Sequence, residues 1–445
     1  MLELTALRKQ KINLSDYDYQ RDIANRILLS DASPFELEVI EEIFFSPLRI
    51  SLKKLARNME CDEGKLTLLL QKLSQAGLLS LDGDQILIEK ESRKYFEFEM
   101  TRFSPSFKPD LEFIQGILRK VSIHFLPLWY AIPRTSNNIF ESIIEKYLLT
   151  PQLFQRYLSE LHFTDPVIGN IIYDLFQAPD CTLYSSDVIS KYNLTRHHFE
   201  EITLLLEFHF VGYLSYRKEE DHLVEVITPF YEWHQYLRFL KQTETPTIFS
   251  EDVHREQSND FTFIEEMGKI LEKCQSKSFS ISLLQDNPLA LAAVNKLLLL
   301  QLMRLENGDL YPMEGSKQWL EKNLENRALH LYRHPFNLAS LPGNERQVRE
   351  AEKAIRRVLH GKWVMFEDFL KGVTVALGSA PQVMIQRVGK LYKYAFPSPG
   401  EKEKEWLRTI IFSWLFEAGM VAIGKTEAGK ECFRVTAFGS FCFEE

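Results

Sequence analysis

Cysteine is scarce in this chain. The 445 residues hold five, at positions 61, 181, 274, 432 and 442, and no two form a Cys-x-x-Cys pair. An odd, scattered set suits free thiols in a reducing cytosol and argues against a disulfide framework or a thiolate zinc site. Long apolar runs are missing as well. The richest stretch, residues 289–302, is interrupted at Asn295-Lys296 and at Gln301, short of the ~18 residues a membrane span needs. Met1-Leu2-Glu3-Leu4 shows no basic region ahead of an apolar one, so no secretory leader is expected. Glycine is sparse at 19 residues, and no G-x-G-x-x-G occurs. No Ser/His/Asp or Cys/His set can be assembled, and the carboxylates follow no paired pattern. The expectation is a cytoplasmic protein with no membrane contact, no cofactor, no metal site and no enzymatic activity.

What is present is ordinary globular material, 45% apolar and 26% charged, which excludes a mostly disordered or fibrous chain. At ~100–200 residues per domain, the length predicts two to four domains. Net charge is −9, unlike a generic nucleic-acid binder. It is uneven, however. From residue 341 onward there are 16 Lys+Arg against 13 Asp+Glu, and the remainder holds 37 against 49. A mildly basic C-terminal region follows an acidic body.

Four segments share one pattern, in which a helical stretch ends and an alternating strand begins. They read Ala76-Gly77-Leu78-Leu79, Val211-Gly212-Tyr213-Leu214, Leu300-Gln301-Leu302-Met303 and Ala418-Gly419-Met420-Val421. In three of them a glycine (Gly77, Gly212 or Gly419) stands where a helix C-cap favours a left-handed residue. Polar turns and short return strands follow: Ile86-Leu87-Ile88, Leu223-Val224-Glu225-Val226, Leu310-Tyr311 and Phe433-Arg434-Val435. Ahead of Gly77, Ser51 and Asp62 are N-cap candidates for two helices, and Leu66, Leu69, Leu70 and Leu73 fall at helical spacing. Three helices and a hairpin make a winged-helix arrangement. The second copy repeats it, with Thr195 capping its last helix. The third copy has a degenerate middle helix, and the fourth has an expanded centre over residues 372–400. The fold predicted is mainly α with small β-hairpins: about four divergent winged-helix modules joined by a helical bridge. Its divisions are 1–98 (N-terminal segment and first module), 99–166 (bridge, dense in groups such as Phe113, Phe125, Leu126, Trp129 and Tyr130), 167–240 (second module), 241–262 (polar linker), 263–340 (third) and 341–445 (fourth).

One motif match is formal only. Gly419-Met420-Val421-Ala422-Ile423-Gly424-Lys425-Thr426 fits G-x-x-x-x-G-K-[ST], but a phosphate loop needs a strand before it and a helix after it. Here a helix precedes and a strand follows, so Gly419 reads as a cap, residues 420–423 as a wing strand and residues 424–429 as an exposed turn. His330 and His334 share a helix face without the glutamate of a His-Glu-x-x-His site.

Tandem winged helices lead to DNA as the expected partner. The candidate contacts are Lys53, Lys54, Arg57 and Lys65 in the first module and Arg196 and His197, with its neighbour His198, in the second. In the fourth they are Arg356, Arg357, Lys362, Arg387, Lys390, Lys393, Lys425, Lys430 and Arg434. The alternative is a protein-interaction scaffold without nucleic-acid contact, its partner meeting the apolar long helix of the third module. The stretch Glu405-Trp406-Leu407-Arg408-Thr409, with Trp414-Leu415-Phe416, Gly419-Met420-Val421 and Phe433-Arg434-Val435-Thr436-Ala437-Phe438-Gly439, resembles a bacterial group whose members carry a domain similar to the N-terminal part of XPB-type DNA helicases. The resemblance covers roughly the last hundred residues and implies winged-helix repeats. Helicase motor motifs do not occur, so helicase activity does not carry over.

Overall fold

A computed structural model describes residues 18–120, 139–219, 222–276, 279–284, 286–341, 345–358, 361–373, 383–389, 391–396 and 399–444. The protein is mainly helical with small antiparallel sheets. It divides into two compact units, Met1–Arg238 with Ile385–Tyr394, and Phe239–Met384 with Ala395–Glu445.

In the first unit, helices α1 (Tyr19–Ser30) and α2 (Pro34–Phe45) lead into strand β1 (Arg49–Ser51) and helices α3 (Leu52–Asn58) and α4 (Glu63–Gln75). The hairpin β2 (Leu79–Asp82) and β3 (Gln85–Ile88) and helix α5 (Lys90–Met100) complete this copy. The bridge supplies α6 (Leu111–Lys120), α7 (Ile139–Ile143) and α8 (Pro151–Glu160); Phe125, Leu126, Trp129 and Tyr130 lie outside the described residues. The second copy runs α9 (Pro166–Gln177), β4 (Leu183–Tyr184), α10 (Ser185–Tyr192), α11 (Arg196–Phe208), β5 (Tyr213–Glu219), β6 (His222–Thr228) and α12 (Tyr231–Gln242).

The second unit opens with β7 (Thr247–Ile248) and β8 (Val253–Arg255). Its first copy of the pattern is α13 (Thr262–Ser276), β9 (Phe279–Ser280), α14 (Pro288–Leu299), β10 (Met303–Glu306) and β11 (Asp309–Pro312). A single 3-10 turn, Ile281–Leu284, stands where the other copies have a second helix. Helices α15 (Gly315–Glu321), α16 (Leu324–Arg333) and α17 (Pro335–Ala339) follow. The last copy is α18 (Glu345–Ile355), β12 (Trp363–Met365), α19 (Phe366–Lys371), the hairpin β13 (Met384–Val388) and β14 (Leu391–Ala395), α20 (Glu401–Thr409), β15 (Val421–Thr426), β16 (Glu431–Val435) and α21 (Ala437–Glu444). Helix α20 runs on as a π-helical turn over Ile410–Leu415.

Every copy pairs its strands in one order, with the return strand in the middle: β1-β3-β2, β4-β6-β5, β9-β11-β10 and β12-β16-β15. The same turn leads into each hairpin. The amides of Leu78, Val211, Leu302 and Met420 reach the carbonyls of Leu73, Leu206, Leu297 and Leu415 at 2.9–3.0 Å, and the preceding residue closes on the carbonyl three back. Both bonds define a Schellman cap, whose penultimate residue must be left-handed. Gly77, Phe210, Gln301 and Gly419 hold that position, with φ between 55° and 76°. The sequence pointed to Gly212 in the second copy, and the structure assigns the role to Phe210. Its ring is fully buried, which offsets the strain of a non-glycine there. Gly212 is small for another reason. A Cβ on it would stand 3.1 Å from Ile227 and 3.2 Å from Leu175.

Two further expectations are corrected. The segment read as a polar linker carries β7 and β8, which pair with β12 and β15 and widen the last copy's sheet to five strands, β7-β12-β16-β15-β8. Strands of two and three residues are too short to show alternation, and sheet edges are commonly polar. The sheets are therefore larger than hairpins alone. The wing turn is also shorter than expected: β15 continues through Gly424, Lys425 and Thr426, and only residues 427–430 turn. Gly424 is there because β8 lies against it, where a Cβ would meet Val253 at 2.7 Å and the His254 carbonyl at 2.9 Å.

Gly419→Val combines a left-handed backbone with a Cβ placed 2.9 Å from the Asp260 carbonyl oxygen. It should lower stability by roughly 1–3 kcal/mol in urea unfolding, and an unchanged midpoint would contradict the cap geometry.

Candidate nucleic-acid interface

The third helix of each copy is the surface to weigh, because a helix that enters a groove must present a free face. In the second copy that face is sealed. Phe199, Glu200, Ile202 to Phe208 along α11 are all buried. Arg26 of α1 lays its guanidinium across the helix, with Nε 2.9 Å from Glu200 and Nη1 2.9 Å from Glu207. Arg102, just after α5, reaches Glu207 at 2.7 and 2.9 Å and Glu99 at 2.8 Å. Burial opposes the charge on Glu207, but Arg102 and then Arg26 outweigh it and hold its pKa below the ordinary value. The predicted contact Arg196 is spent inside the module, bonded twice to Glu225 at 2.7 Å and once to Glu200. His197 stands beside Gln20 of α1, 3.2 Å from its Oε1, and His198 beside Glu201.

In the third copy the cover is partial, with Ala290, Ala293, Val294 and Leu297 of α14 buried and Asn295 exposed. Helix α14 packs on α13 and α17, and Lys296 is engaged by Glu417 at 2.9 Å and Asn337 at 2.8 Å.

In the fourth copy the predicted cations are scattered and mostly paired. Lys425 faces Glu256 at 3.3 Å, Lys430 faces Glu367 at 3.2 Å, and Arg434 lies over Trp363 with Asp260 at 3.7 Å. Arg357, though exposed, donates to the carbonyls of Phe369 and Thr243, and the partial burial of its guanidinium pulls its pKa down to about 10. Arg356 stands beside the partly buried Glu352, and Lys362 is exposed ahead of β12. A groove of about 690 Å³ runs between α19, α20 and the wing turn. Its charged lining is balanced, with Lys371, Lys404, Arg408 and Lys430 against Glu367, Glu401, Glu405 and Glu431. Gly419-to-Thr426 is cap and strand, so no loop of free amides faces a phosphate there. His330 and His334 have ring centroids 5.2 Å apart, and no cluster of three or more metal-ligating groups occurs among the described residues.

The first copy differs. Ser51 caps α3 by accepting from the Lys54 amide, and Asp62 precedes α4 without a side-chain cap bond. Leu66, Leu69, Leu70 and Leu73 turn inward. Gly64, Lys65, Thr67, Leu68, Gln71 and Gln75 are left on the outside. Lys53, Lys54 and Arg57 of α3 are exposed with Lys65 at the start of α4. Lys53 meets Asp84 only at 3.9 Å, and Lys54, Arg57 and Lys65 make no ion pair among the described residues. Thr67, Leu68 and Gln71 were not picked out from the sequence, although the i, i+3, i+4 gaps between the inward leucines mark them. The acidic residues of this copy include Glu60, Asp62 and Glu63, with Asp82 and Asp84 at the end of the β2–β3 hairpin.

No protein-family model matches the chain, and a search of curated proteins finds no match. The XPB-type resemblance of the C-terminal stretch therefore rests on its residues alone.

Removing one partner of a buried pair leaves the other charge stranded, typically at about 3–5 kcal/mol. Glu207→Gln should cost that much in urea unfolding, whereas the exposed Lys425→Ala should stay within about 0.5 kcal/mol. Equal effects would contradict the burial assigned to α11.

Proposed function

We propose that the chain is a tandem winged-helix protein that binds DNA without catalysing a reaction, and that the first module makes the principal contact. The strand order repeated four times, each time after a Schellman-capped third helix, supports the winged-helix reading. The observation that carries the functional one is the contrast among third helices. Helix α11 is sealed by the chain's own residues, and α14 is partly covered by α13 and α17. On α20, Lys404 and Arg408 are matched by acids, while Lys402 is exposed without an ion pair among the described residues. Helix α4 keeps its outer face open beside four exposed cations. Lys53, Lys54, Arg57 and Lys65 would hold phosphates, while Thr67 and Gln71 would stand at base edges.

A second reading has its own observation. Leu68, 71% exposed, sits centrally on the α4 face, and the same module carries the acidic Glu60, Asp62, Glu63, Asp82 and Asp84. An apolar centre with an acidic rim suits a protein partner. The chain already uses one third helix, α11, to bind other parts of itself, so an interaction scaffold is the alternative.

Fluorescence anisotropy of the full chain with a labelled 24-base-pair duplex separates the two. Binding at 50 mM salt should weaken as salt rises. Replacing Lys53, Lys54, Arg57 and Lys65 together by Ala should cut the slope of log K against log salt by about 3–4. Absence of binding at 50 mM salt would sink the DNA reading and leave the scaffold.

A further inference from the structure

The longest stretch without Asp or Glu in this acidic chain runs over residues 369–400 and carries Lys371, Arg387, Lys390 and Lys393. It contains β13 and β14. Three of its cations were expected to serve the fourth module, but Ile385–Tyr394 belongs to the first unit. The base of this hairpin is anchored there. The Ile385 amide donates to the Leu149 carbonyl at 2.7 Å, the Tyr394 hydroxyl donates to the Leu148 carbonyl at 3.1 Å, and Tyr392 meets Phe140 edge-on at 5.7 Å. Ile385 and Tyr394 are buried.

Strand alternation then leaves the opposite face uncovered among the described residues. Gln386 and Val388 share one side of β13, and Leu391 and Lys393 share one side of β14; all four are exposed. Val388 is 58% and Leu391 43% exposed at the tip. Arg387, on the alternate side, is well exposed, with its nearest carboxylate, Glu141, at 3.8 Å. Lys393 has no ion pair among the described residues, and Lys390 lies outside them.

We propose that this hairpin is a second DNA contact, entering a groove of duplex DNA alongside the first module. The inference rests on the DNA-binding reading and extends it to an element outside the four-module pattern. A two-stranded ribbon fits the major groove of B-form DNA, ~12 Å wide. Aliphatic side chains at its tip suit contact with thymine methyl groups in that groove, flanked by cations for the phosphates. Duplex RNA is disfavoured because its major groove is too deep and narrow to admit side chains. Single strands are recognised by exposed aromatic platforms, whereas this tip is aliphatic. Two aliphatic groups are also too little apolar surface to hold a membrane interface.

The test uses the full chain, the same labelled duplex and a salt series. Arg387→Ala with Lys393→Ala should lower affinity at least about tenfold and reduce the salt slope by about 2. Val388→Ser with Leu391→Ser should lower affinity several-fold with the slope unchanged. Both pairs spare Ile385 and Tyr394, so thermal melting should match the unaltered chain. If the chain binds DNA, the first-module variant loses binding and both hairpin variants bind normally, the hairpin proposal falls while the function stands. If the unaltered chain does not bind at 50 mM salt, both fall. Loss confined to anionic phosphatidylserine vesicles, with DNA binding intact, would overturn the proposal in favour of a membrane surface.

Discussion

Glu207 sits in the last turn of α11 with almost no access to water, and two arginines distant in sequence make that possible. A buried carboxylate without compensation would be prohibitively costly. Arg26 and Arg102 both bond it, and each also bonds a second buried glutamate. This network fixes α1 across α11 and holds the turn after α5 beside β5, where Arg102 also donates to the Leu214 carbonyl at 3.1 Å. Within the first unit, the relation of the first module to the second therefore depends on a charge cluster as well as on apolar packing. Such clusters add little net stability compared with a well-packed apolar core, but the loss of one partner is costly. The consequence is direct: the outer face of α11 is unavailable to any partner outside the chain.

The apolar periodicity of the sequence made the helices legible, as did the small residues where they end. Leu66, Leu69, Leu70 and Leu73 defined α4, Ser51 and Thr195 capped where expected, and the helix-to-hairpin unit was visible in all four places. The misses share a physical origin in tertiary contact. Phe210 takes the left-handed cap position without being glycine, and the burial of its ring, which offsets the strain, is a fact that no local pattern records. Strands β7 and β8 owe their existence to the exposed edges of β12 and β15. The ion pairs that consume Arg196, Lys425, Lys430 and Arg434 join residues 29, 169, 63 and 174 positions apart or lie across strand pairs. A sequence shows that a cation is present; only the fold shows whether a carboxylate already faces it.

One architecture thus serves several ends in a single chain. The second copy is a structural partner for the first. The third holds Lys296 against Glu417. The fourth has taken up two strands from a polar segment and contains a hairpin that belongs to the first unit. Shared topology did not fix a shared use, which is the general rule for small folds. What distinguishes the copies is whether the outer face of the third helix is covered and whether its cations are neutralised.

That distinction can be measured directly by hydrogen-exchange mass spectrometry on the full chain. If α11 is sealed by α1, Arg26 and Arg102, its amides should exchange with the slowest set in the first unit. The open helix α4 should exchange through smaller local openings, and therefore sooner. In Arg26→Ala, protection of α11 should fall toward that of α4, while α4 itself changes little. Equal exchange of α11 and α4 in the unaltered protein would contradict the account.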